Sequence, residues 1–179
     1  MNPEFAIGGR AIGRDHPPFL IAEMSGNHNQ SLERALAIVE AAASSGAHAL
    51  KIQTYTADTM TLDLDQGGFR VEHPMWGGQS LHQLYRQAHT PWAWHEPILE
   101  RARELGLIAF STPFDASAVD FLETLDVPAY KIASFENTDL ALIRRVAATG
   151  KPLIISTGMA TLAELEEAAV LPRAPQRSP

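Results

Sequence analysis

The sequence predicts an α/β fold built on a parallel sheet. Short apolar runs rich in branched residues alternate with longer segments of helical period five times along 179 residues. Glycines stand where several of the helical segments should stop. A composition of 45% hydrophobic and 20% charged residues is that of a globular chain. Strand–helix alternation of this kind places the strands parallel, joined by right-handed crossovers.

Taken in order, Glu4–Ile12 reads as a hairpin around Gly8-Gly9, suited to plug the bottom of the sheet. The first strand of the sheet spans Phe19–Ser25 and its helix Leu32–Ser45, closed by Gly46. The second strand, Ala49–Tyr55, is followed by an insertion of roughly Thr56 to Trp94 with a short helix at Leu81–His89. Insertions of that length after a strand commonly carry function. The next helix, His95–Leu105, holds Pro97, so it starts near that residue or kinks there. Strand Ile108–Pro113 precedes helix Ala116–Leu125, and strand Ala129–Ser134 precedes helix Leu140–Thr149, which Gly150 closes. The fifth strand is Leu153–Thr157; the last helix, Leu162–Val170, opens on a capping box of Thr161 and Glu164. Helical patterning then stops at LPRAPQRSP, three prolines and two arginines in nine residues, read as a disordered tail over 171–179.

Composition narrows the function. There are 14 basic and 21 acidic residues, a net charge of −7 with no basic run, which excludes a nucleic-acid or anionic-membrane partner from the expectation. Without cysteine there is neither disulfide nor thiolate zinc site. The start MNPEFAIGGRAIG lacks a signal-peptide layout, and the most apolar helical stretch, Ala35 to Ala43, is too short to span a bilayer. The expectation is a soluble cytoplasmic protein.

Side chains alternate faces along a strand, so Lys51, Gln53 and Tyr55 share one face and Leu50, Ile52 and Thr54 the other. Lys131 faces likewise, opposite Tyr130 and Ile132. Glu23, Thr112, Ser134 and Ser156 fall at the C-terminal ends of the remaining strand segments or just beyond them. In parallel α/β folds that edge binds ligands. A single strand lysine more often lies on a solvated edge, and a single hydroxyl at a strand end is more often a cap. Two lysines on nonadjacent strands with hydroxyls around them suit a phosphate or carboxylate, each charge-assisted contact contributing roughly 1.5–3 kcal/mol. Glu23 is placed for proton transfer or for orienting water. The residues by themselves leave three readings open. One is an enzyme acting on a phosphorylated or carboxylated small molecule, another a Schiff-base aldolase using Lys51 or Lys131. The third is an open doubly wound sheet serving as a binding module.

The run FLIAEMSGNHNQSLERALAIVEAAASSGAHALKIQTYTADTMTLD resembles the first two barrel units of the sialic acid synthase family. FSTPFD, YKIAS-FEN and IISTGM are similar to its third, fourth and fifth strand signatures, and WGGQSLHQLYRQAHTPWAWH resembles its pseudaminic acid synthase branch. The resemblance covers about Phe5 to Val170. It implies a (β/α)8 TIM barrel, here about five units long, followed in the family by an antifreeze-like domain absent from this chain, in a homodimer. The implied reaction joins C3 of phosphoenolpyruvate to the aldehyde carbon of an acetamido sugar and releases phosphate. For the pseudaminate branch that sugar is a 2,4-diacetamido-2,4,6-trideoxy-altrose; the neuraminate and legionaminate branches are the alternative. By resemblance Lys51, Gln53, Thr112, Lys131, Ser134 and Ser156 form the phosphoenolpyruvate set, Glu23 sits beside the reacting carbons and Glu136 near the sugar carbonyl. Asn27 and His28 lie in the family's NHN motif, where a loop-structural role for His28 weighs as much as a catalytic one. Tyr85, Trp92 and Trp94 are expected to pack the insertion. A divalent metal, Mn2+ or Mg2+, serves the family through histidines on later strands, so no metal ligand is expected here and the chain alone is expected to be inactive.

Overall fold

The computed structural model describes residues 5–72 and 77–170. The tail over 171–179 therefore lies outside the described residues.

Strands β1 (Phe5–Ile7) and β2 (Arg10–Ile12) pair antiparallel, Phe5 opposite Ile12, across a turn in which Gly8 and Gly9 have φ of 55° and 80°. Two consecutive positive φ values are what a two-residue hairpin needs to follow the strand twist. The sheet proper then runs from β3 (Ile21–Glu23) through α1 (Leu32–Ser44) to β4 (Ala49–Thr54). The insertion contributes α2 (Ala57–Met60) and α3 (Leu81–Ala88) before α4 (His95–Glu104) and β5 (Ile108–Pro113). Helix α5 (Ala116–Thr124), β6 (Tyr130–Ile132), α6 (Leu140–Ala147), β7 (Leu153–Ile155) and α7 (Leu162–Val170) complete the alternation. Pro97 falls in the first turn of α4, where a missing N–H costs nothing. The capping box predicted at Thr161 and Glu164 forms, and further side chains cap other helices. Ser31 caps α1, Asp115 caps α5, Asp139 caps α6, and Thr161 and Glu164 exchange hydrogen bonds at the start of α7.

All five sheet strands are parallel, in the spatial order β3-β4-β5-β6-β7. A doubly wound sheet reverses its order at a switch point, and this one does not, so that alternative is overturned. Helices α1, α4, α5, α6 and α7 pack on one face. Leu50, Ile52, Ala109, Tyr130 and Ile132 join Val39, Ile98, Leu122 and Ile143 in one core. Strand residues of the opposite parity, Ala49, Phe110 and Ala129, join Ile7 of the hairpin, with Ile12, Phe19, Ile108 and Ile154 around them. The sheet is thus a curled half-barrel whose interior is plugged at its base by the hairpin. Gly8 presses against Ile108 there, where any Cβ would come within 2.9 Å of that side chain. No described helix is long and apolar enough to cross a membrane.

Candidate functional site

Above the apolar base, the interior face changes character within one pleat. Two residues beyond Ala49 stands Lys51, and two beyond Ala129 stands Lys131. One pleat higher come Gln53 and, paired with it in register, Thr112; Ser156 continues the Ile154 face. Glu23 is the register partner of Lys51, and its Oε1 accepts a hydrogen bond from Lys51 Nζ at 2.5 Å. The lysine side chain is 7% exposed and the carboxylate 46%, so the pair has one buried and one open end.

Three ionisable groups on this face, with Glu136 in the turn after β6, influence one another. Burial pushes the Glu23 carboxyl up, but the hydrogen bond and charge of Lys51, with Ser25 and Lys131 adding, hold it below the ordinary carboxylate range. Burial lowers Lys131 below the usual lysine range; Lys51 pushes the same way, while Glu23 and Glu136 oppose it. Burial raises Glu136, its own backbone N–H and Lys131 only partly countering. Three buried side-chain oxygens have no hydrogen-bond partner among the described residues; one, Asp115 Oδ2, belongs to the cap of α5, and the other two are Thr112 Oγ1 and Glu136 Oε2. The latter two, near two lysines, suit a ligand carrying both charge and hydroxyl-type donors.

Ser134 and Ser156 sit at the ends of β6 and β7. The Ser156 amide extends the ladder to Ile132 O at 3.0 Å, and Gly158 passes so near that a Cβ on it would lie 3.0 Å from Ser134 Oγ. Buried Asn137 ties these ends together, its Nδ2 donating to Ser156 O at 3.2 Å. Asn137 was not singled out from the sequence, although it stands in the FEN motif beside Glu136.

Asn27 and His28 follow β3 and part company. Asn27 donates from Nδ2 to Met24 O at 2.9 Å and lines a cavity of about 560 Å³ between residues 26–30 and α3. His28 is fully buried. Its Nδ1 accepts the Gln30 N–H at 3.2 Å, which leaves Nε2 to donate to Thr90 Oγ1 at 3.3 Å, and Trp94 meets the ring edge-on at 5.5 Å. Burial, with His89 adding, keeps this imidazole below its ordinary pKa. His28 therefore fastens the loop to the insertion. Trp92 stacks on Phe121 with ring centroids 4.6 Å apart, and Tyr85 lies edge-on to Tyr55 at 5.8 Å, so these aromatics pack the insertion, Tyr85 also lining the cavity. On the outer face, a relay unforeseen in the sequence joins β4, β5 and α4. Thr54 Oγ1 meets His95 Nε2 at 2.8 Å and Ser111 Oγ at 2.6 Å. Among the described residues no three His, Asp or Glu side chains converge to hold a metal ion.

The profile of the NeuB family matches residues 38–177. The pseudaminic acid synthase of Helicobacter pylori is 46% identical over 157 residues, covering 88% of this chain and 46% of that protein. The pseudaminic acid synthase of Campylobacter jejuni is 47% identical over 151 residues, 84% of this chain and 44% of that one. The chain thus spans under half the length of these curated relatives. An N-acetylneuraminic acid synthetase from Leptospira borgpetersenii, solved in complex with citrate, superposes with a TM-score of 0.83 at 28% identity, over 97% of this chain and 56% of that one.

Proposed function

Because the chain belongs to the NeuB family, we propose that it supplies the phosphoenolpyruvate-binding part of a pseudaminic acid synthase active site. One observation carries the reading, namely that Lys51 and Lys131 share an interior face with Glu23, Gln53 and Thr112, just above an apolar base, with Glu136 in the turn after β6 close enough to Lys131 for their charges to interact. In this scheme the two ammonium groups neutralise the phosphate and carboxylate of phosphoenolpyruvate, and Gln53, Thr112, Ser134 and Ser156 orient them by hydrogen bonds. C3 of phosphoenolpyruvate then bonds to the aldehyde carbon of an open-chain 2,4-diacetamido-2,4,6-trideoxy sugar. Water adds at C2, and phosphate leaves with cleavage of the C–O bond.

The two carboxyls suit opposite ends of that sequence. Glu23, held ionised, is fit to take a proton from the attacking water; Glu136, raised by burial, is fit to give one to the oxygen developing from the aldehyde. A divalent metal in this family would polarise that aldehyde oxygen; the described residues do not form a site for it. The relatives' length makes the homodimer and the complete reaction proposals about a longer assembly.

Titration of the chain with phosphoenolpyruvate, followed by 31P NMR, tests the reading. Lys131→Ala should weaken binding by about 10- to 150-fold, the equivalent of one charge-assisted contact. Unchanged affinity in that variant would remove the proposed site. The depression of Lys131 also suits a Schiff-base lysine. Borohydride with pyruvate separates the two, since it labels a lysine only in an aldolase.

A further inference from the structure

Among the described residues, no Asp, Glu, Lys, Arg or His lines the cavity between residues 26–30 and α3. It is walled by the amides of Asn27 and Gln87, the phenols of Tyr55 and Tyr85, and the aliphatic Leu84 and Ala88. A phosphate or carboxylate entering it would shed water with no cation to meet it. A neutral group with an apolar end and an amide end finds partners for both. At about 560 Å³ the space falls in the range of small-ligand sites, roughly 300–1,000 Å³. Two of its lining residues follow the charged face in the chain, Tyr55 two residues beyond Gln53 and Asn27 four beyond Glu23.

The walls are fastened from several sides. Gln30 Nε2 donates to Gln87 O at 2.8 Å and to His89 O at 2.7 Å, tying the loop to the end of α3. Asn29 and Gln30 hold φ of 46° and 56°, a conformation that a non-glycine pair keeps only where surrounding contacts enforce it. Such a cavity is formed before any ligand arrives.

Resting on the reading of the chain as an acetamido-sugar synthase component, we propose that this cavity receives an acetamido group of the sugar. The methyl packs on Leu84 and Ala88, and the amide meets Asn27 and Gln87. The NHN-motif loop and the insertion helix would together select sugars by their N-acyl substituent.

The test uses the whole chain and 2,4-diacetamido-2,4,6-trideoxy-altrose as probe. Saturation-transfer NMR should show the acetyl methyl protons receiving magnetisation from the protein. Leu84→Trp, which fills the cavity, should weaken the sugar about tenfold or more while phosphoenolpyruvate affinity stays within about twofold. Gln87→Trp, at an exposed position, fills the same space without touching the core and serves if the first variant loses its near-ultraviolet circular dichroism. Unchanged sugar affinity in a folded filling variant overturns the inference, as does absence of sugar binding by the unmodified chain. Phosphoenolpyruvate binding that still depends on Lys131 then leaves the functional reading standing; its loss as well takes that reading down too.

Discussion

Glu23, at the end of β3, and Glu136, in the turn after β6, both feel the charge of Lys131 and are driven in opposite directions. Glu23 is lowered in the fold, so its contribution is present above the ordinary carboxylate range and is lost as pH falls through its folded value. Glu136 is raised, so its contribution is present below the ordinary range and is lost as pH rises through its folded value. At pH 7 Glu23→Gln should therefore destabilise, by roughly 1–3 kcal/mol, because it strands the buried Lys51 ammonium. Glu136→Gln should raise the melting temperature at that pH. Below the carboxylate range both differences should shrink. Thermal melts at neutral and acid pH decide it, and shifts of the same sign at pH 7 would contradict the opposed environments.

Among the elements, α4 shows what its sequence hid. Its register is plain from apolar period and from Pro97, yet His95 at its first position reads as an ordinary surface histidine. Folding buries it against Thr54, 41 positions away along the chain, which in turn bonds Ser111, and no local pattern announces that relay. Burial drives the imidazole pKa down to about 4, despite the Pro91 and Trp92 backbone groups that favour the charged form. The unfolded chain then binds the proton first, so stability should fall by up to about 3 kcal/mol between pH 6.5 and 4. Denaturant melts across that window should show the slope, and His95→Gln should flatten most of it, buried His28 retaining a smaller part of the same sign. Elsewhere the sequence reading of elements was close. Strand β5 has the predicted ends because apolar residues and Pro113 bound it on both sides. Strand β3 is shorter than Phe19–Ser25, since Phe19 packs into the base and Ser25 adopts φ of 49°. The strand faces of Lys51, Gln53 and Lys131 were legible from pleat parity. The acetamido cavity was not, for it joins residues 26–30, 55 and 84–88, which meet only when the insertion folds back.

For the molecule as a whole, the hairpin is the piece that turns a sheet with one wet face into one with a closed floor. Ile7 is 1% exposed against Ala49, Phe110 and Ala129, so Ile7→Ala should cost about 2–5 kcal/mol and speed amide exchange in β4 and β5 above that in α7. Equal acceleration everywhere would mean the floor contributes only to global stability. The strand order has a different consequence, one for synthesis. Each strand of the sheet hydrogen-bonds to the strand immediately before it in the chain. A nascent polypeptide therefore meets its docking edge already in place as each new unit emerges, and the half-barrel can assemble in the order in which it is translated, with no earlier strand waiting on a later one.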